Sequence, residues 1–140
     1  MPRLAGDPPL RRSLRPRGPV QFGLQQRHES GVHLVHVDGE LDILTAPKVG
    51  AELDAIIRRC DGDVVIDLRD ALFIDSAGLH ILLNARRRLT RAQRRMSVIC
   101  GEGPVRRVIA LARLIETLSV VPSLEQTAPA SDPSRAAASG

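Results

Sequence analysis

Hydrophobic positions change period several times along the chain, and each change marks an element. Residues 21–28 read as a weak strand, and Val32, Leu34, Val35 and Val37 as a stronger one ending at Asp38-Gly39. Glu29-Ser30-Gly31 between them predicts a hairpin turn. Val49, Leu53, Ile56 and Ile57 then fall at i, i+4, i+7 and i+8, a single helical stripe. Thr45 ahead of it is the expected N-cap, Pro47 suits the first turn, and Asp61-Gly62 ends the helix. Val64, Val65, Ile66 and Leu68 form a short strand apolar enough to be covered on both faces. A second helix beginning near Ser76 turns Leu79, Leu82, Leu83 and Leu89 inward. Met96 to Cys100 is another strand, and Gly103-Pro104 opens a third helix with Val105, Val108, Ile109 and Ala112 inward. Leu118 to Val121 closes the pattern as a last short strand.

The order β-β-α-β-α-β-α-β restricts the architecture. Strand–helix–strand units take right-handed crossovers and give parallel pairs, while the opening hairpin gives an antiparallel one. The expected fold class is therefore α/β, a mixed central sheet of about five strands with three to four helices mainly on one face. The domain should span residues 20–126. Residues 1–19, rich in Pro and Arg, read as a disordered basic arm, and residues 127–140 as a disordered tail.

Charge is unevenly placed. The whole chain carries +4, and five arginines and one aspartate within residues 1–20 by themselves sum to +4. The domain is close to neutral and the chain has no Trp or Tyr, so neither a basic face nor a stacking platform for nucleic acid is expected. The arginines at positions 86, 87, 88, 91, 94 and 95 sit on and after the second helix, where cations complement the dipole; a solvated face outweighs an anion-binding patch. Cys60 and Cys100 fit no metal-ligand spacing and read as buried or partly buried thiols of a reducing cytoplasm. The basic N-terminus lacks the apolar run of a signal peptide, and nothing approaches the ~18 residues a membrane span needs.

The chemistry concentrates at Asp75-Ser76-Ala77-Gly78, where a buried strand gives way to a helix. A serine hydroxyl at a helix N-terminus can cap the helix, attack a substrate or receive a phosphate. For attack, His80 would serve as base and Asp75 as orienter. A base one turn along the same helix cannot easily reach both the serine and an aspartate that precedes it. The chain also lacks a Gly-x-Ser-x-Gly elbow and a Walker loop, so no catalytic residue, metal or cofactor is expected.

Two motifs in this order resemble the STAS family, the fold of bacterial anti-sigma factor antagonists. One is Gly39-Glu40-Leu41-Asp42 followed by Thr45-Ala46-Pro47. The other is Val65-Ile66-Asp67-Leu68 followed by Phe73-Ile74-Asp75-Ser76-Ala77-Gly78-Leu79. The resemblance runs from about Val20 to Leu124, and Val105-Arg106-Arg107 fits the third-helix region. It implies a cytoplasmic regulator of transcription in bacterial stress responses, a monomer when free. Such a protein binds a GHKL-type serine kinase that is also an anti-sigma factor, and thereby frees the sigma factor. The kinase phosphorylates the serine after the motif aspartate, here Ser76, and a phosphatase restores it. The implied partner surface comprises Asp42, Asp75, Ser76, Ala77, Gly78 and His80.

Three departures stand out. Ala77 replaces a frequent second hydroxyl, leaving Ser76 as the one acceptor in the motif. His80 stands where a small residue is common. Ala112-Arg113-Leu114 replaces the glycine that often ends the third helix, which predicts a changed ending there. Phosphate at a helix N-terminus is locally tolerated, so the expected switch is a block at the partner surface rather than unfolding. The rival functions are a STAS module that never meets a kinase, as an accessory of a transporter or scaffold, and nucleic-acid binding by the arm.

Overall fold

The strands of the computed structural model, which describes residues 22–126, follow from where the chain can satisfy its backbone. β1 (Phe22–Glu29) and β2 (Val32–Leu41) pair antiparallel across a two-residue turn. Ser30 and Gly31 both take positive φ (52° and 78°), the geometry whose twist matches the flanking strands. α1 (Ala46–Arg59), β3 (Asp63–Asp67), β4 (Ala71–Ile74), α2 (Ser76–Arg91), β5 (Met96–Ile99), α3 (Pro104–Leu111) and β6 (Val120–Val121) follow, with a 3-10 turn at Leu124–Gln126. The sheet runs β1-β2-β3-β5-β6, parallel from β2 onward, and β4 also pairs with β2. The arm and tail expected at residues 1–19 and 127–140 lie outside the described residues.

This is the expected mixed α/β sheet, with one strand more than the hydrophobic pattern showed. β4 is only four residues long, and two of them, Leu72 and Phe73, are exposed, so no inward period marks it. Its pairing also extends β2 beyond the expected end at Asp38-Gly39. Gly39 (φ 90°) sits at a register shift, and the strand continues through Glu40 and Leu41 opposite Phe73 and Ile74. The turn into β4 is fixed by Arg69, whose Nε and NH2 donate to the two carboxylate oxygens of buried Asp67 at 2.9 and 2.8 Å.

The three helices share one face. Val35, Val37, Ile66 and Val98 of the sheet form a single cluster with Val49, Leu53 and Ile56 of α1, Leu79, Leu82 and Leu89 of α2, and Ile109 of α3. Each such burial contributes about 1.5–3 kcal/mol. Val65 and Ile99, one residue out of phase, are buried on the other face. α1 and α2 are clamped by Arg88 of α2, which donates to Asp54 of α1. Arg94, just past α2, donates to the carbonyls of Ile57 and Gly62 at 2.9 and 2.8 Å, taking up carbonyls at the exit of α1.

α3 does end differently from the glycine pattern. Arg113 takes the left-handed conformation itself (φ 62°), with its N–H on Ala110 O and that of Leu114 on Ile109 O. Gln93 closes α2 in the same way, at φ 60°. Ala112, the C-cap of α3, is exposed, contrary to its expected inward position; beyond the turn at Arg113 half-buried Leu114 packs against the core.

Candidate functional site

The C-terminal ends of β2 and β4 deliver the two sequence motifs to one place, and a single carboxylate joins them. Asp75 is extended (φ −124°, ψ −168°) because its N–H donates to Leu41 O at 3.1 Å. From there its Oδ1 accepts the N–H groups of Ala77 (2.9 Å) and Gly78 (3.2 Å), and its Oδ2 accepts that of Ile43 (3.3 Å). Asp75 is thus the N-cap of α2 and also the anchor of the loop that follows β2. Ser76, which could itself have capped the helix, is the first helical residue and is exposed.

The loop holds itself by the same kind of bond. Asp42 Oδ1 accepts the N–H groups of Leu44 (2.9 Å) and Thr45 (3.0 Å). Thr45 stands at the N-cap position of α1 but does not cap it. Its fully buried hydroxyl donates to Glu40 O at 2.6 Å and accepts the Asp42 N–H at 2.9 Å. The side chain that sequence pattern assigns to the helix therefore fastens the loop.

Gly78 has a steric reason. A Cβ there would lie 2.4 Å from Leu41 O and 2.8 Å from Ile74 Cγ1. Only a bare backbone lets α2 start this close to β2.

What this frame exposes is apolar. Ser76, Ala77 and His80 share a shallow concavity of ≈ 610 Å³ with Ile43, Pro47 and Ile81. Ile43 is 73% exposed and Leu44 53%. Leu72 and Phe73 are exposed on the strand leading to Ser76. Four of the six exposed large hydrophobic side chains among the described residues are these. Sequence reasoning did not single them out. The available signal was two adjacent apolar residues, Ile43-Leu44, in a loop, in phase with no stripe.

Of the expected partner residues, Ser76, Ala77 and His80 line the concavity, Asp42 and Asp75 build its loop and helix start, and Gly78 lies buried beneath. Ser–His–Asp nucleophilic catalysis does not fit, because the Asp75 carboxylate is committed to backbone N–H groups. Ser76 is exposed at the rim of the concavity. Among the described residues no three His, Cys, Asp or Glu side chains are grouped to hold a metal ion. No helix there is long and apolar enough to cross a membrane.

The STAS domain family model matches residues 24–127. The chain belongs to the STAS domain family. An anti-sigma F factor antagonist of Paenibacillus polymyxa is 30% identical over 102 residues, 72% of this chain and 87% of that protein. The crystal structure of an anti-sigma factor antagonist from Mycobacterium paratuberculosis is similar at a TM-score of 0.69 and 29% identity, over 77% of this chain and 92% of that one. The Bacillus cell fate determinant SpoIIAA, solved in its phosphorylated form, shares the fold at a TM-score of 0.57 and 19% identity, over 74% of this chain and 95% of that one.

Within this STAS domain the arginine run is partly engaged. Arg88 and Arg94 bind α1, and Arg87 contacts Asn84 on its own helix.

Proposed function

We propose that this STAS domain is an anti-sigma factor antagonist and that phosphorylation of Ser76 switches it off. The observation that carries the reading is an exposed serine hydroxyl set in an apolar surface whose frame is held by Asp75. Unphosphorylated, the surface of Ile43, Pro47, Ala77 and His80 docks on a GHKL-type serine kinase that otherwise holds a sigma factor. Apolar side chains supply the contact area, and the sigma factor is released. The kinase transfers a phosphoryl group to Ser76, and a separate phosphatase removes it. Asp42 and Asp75 act on this surface by shaping it.

Phosphate adds about −1.5 to −2 charge at pH 7. The helix dipole tolerates it, but the N–H groups of Ala77 and Gly78 are already bonded to Asp75. The dianion therefore stands beside a carboxylate, with those two donors occupied. Docking an apolar partner over it would strip its water without replacing it, a large penalty. The fold need not change.

The test is intact mass and site mapping of the protein from its native cells, growing and stressed. A single phosphate that falls under stress, maps to Ser76 and is absent from Ser76→Ala supports the switch. No phosphate in either state refutes it and leaves a constitutive STAS binding module.

A further inference from the structure

The opposite end of the sheet holds a second reactive arrangement. His33 lies near the start of β2, and Cys60 is the C-cap residue of α1. Cys60 Sγ is 3.0 Å from His33 Nδ1, and His33 Nε2 is 2.8 Å from Gln26 Oε1 on β1. An amide oxygen only accepts, so this arrangement puts the ring proton on Nε2 and points the Nδ1 lone pair at the thiol. His33 is held below its ordinary 6.5, first by burial and then by repulsion from His28, Arg59 and Arg94. Its imidazole is therefore neutral at pH 7 and able to take a proton.

The set is a nucleophile, a base within hydrogen-bond reach, and a third group that orients the base. It comes from three separate elements, and Cys60 and His33 line a shallow concavity of ≈ 580 Å³ with His28, Arg59, Asp61 and Gly62. Cys60 is half-buried at its edge. Cys100 provides the internal contrast: it is 2% exposed, burial pushes its thiol pKa up, and its nearest acceptor is the carbonyl of Gly101 at 3.6 Å.

We propose that Cys60 is a modification site that exchanges with small disulfides, with His33 as its base and Gln26 as the positioning residue for that base. The Cys60 proton passes to His33 Nδ1 as Sγ attacks one sulfur of the disulfide. A protein–S–S bond forms, the original S–S bond breaks, and the departing thiolate takes the proton from His33. The product is a mixed disulfide on Cys60 and one free small thiol.

The test uses the native full chain with glutathione disulfide, followed by intact mass, peptide mapping and a pH profile of the rate. One adduct, on Cys60 and not on Cys100, is expected. His33→Asn should slow it about tenfold at pH 7 and make the rate climb about tenfold per pH unit across the neutral range. The native chain should show a much flatter profile across the same range, because His33 is held below its ordinary value. Should His33→Asn fail to fold, Gln26→Ala on the exposed strand β1 carries the same test, with a smaller slowing. No adduct on the native chain, equal labelling of Cys100, or a variant with unchanged rate and pH profile overturns the proposal.

Discussion

The two ends of the central sheet treat their side-chain nucleophiles in opposite ways. At the C-terminal end, the carboxylate nearest Ser76 faces backbone: Asp75 accepts from Ala77, Gly78 and Ile43, and the hydroxyl stands in the open beside Ile43 and His80. At the N-terminal end, the Cys60 thiol meets an imidazole already oriented by Gln26. Under the proposed function, the first end is a surface for another protein to act on. The second has its proton acceptor built in. Polar side chains at one end bond to backbone, while those at the other bond to one another.

If that contrast holds, the serine end should fail by losing structure. The largest effect is expected from Gly78→Ala, whose new Cβ would press on the Leu41 carbonyl at 2.4 Å. Overpacking of this kind costs about 1–3 kcal/mol, readable as a lower midpoint in urea denaturation. An unchanged midpoint would mean that α2 can slide away from β2. Asp75→Ala should cost about 0.5–2 kcal/mol as a lost cap. It should also speed hydrogen exchange at the Ile43 amide, which Asp75 holds across 32 residues of sequence. A stability loss without faster exchange at Ile43 would reduce Asp75 to a helix cap.

The thiol end should instead show itself through protons, and by a smaller effect. The folded pKa of His33 lies below 6.5, so the unfolded chain binds the extra proton. The stability tied to His33 is complete above pH 6.5 and declines as pH falls through that value toward the folded pKa. Denaturation at pH 7.5 and 5.5 should show a steeper loss for the native chain than for His33→Asn, and equal losses would remove the argument. Asp67 is distinct in window. Burial alone would raise its pKa, but the hydrogen bonds and charge of Arg69 outweigh that and bring it below 3.8. Its contribution is therefore present above 3.8 and lost only as pH falls through the folded value.

How much of this was legible in the sequence depends on distance along the chain. The stripe Val49, Leu53, Ile56 and Ile57 is fully inward as its spacing predicts, because a helical period is a local property. β4 escaped notice because four residues with Leu72 and Phe73 facing out carry no period. The motif around Ser76 was visible, but its capping was not. Aspartate and serine are both good caps and stand side by side; the bond from Asp75 N–H to Leu41 O, a tertiary contact, selects between them. Thr45 illustrates the same limit, since its hydroxyl turns from the helix to the Glu40 carbonyl. The Cys60–His33 contact spans 27 residues and depends on where α1 ends relative to the start of β2, which composition and periodicity do not fix.

The Asp75 joint also bears on the speed of encounter. A loop that must be ordered at contact slows productive association and lowers the share of collisions that succeed. Here Ile43 and the first turn of α2 hang from the same carboxylate, and the Asp42 and Thr45 bonds close the rest of the loop. Under the proposed function, an arriving partner meets a face assembled in advance, its association rate is set by diffusion and orientation, and a phosphate on Ser76 would act on a template already in place.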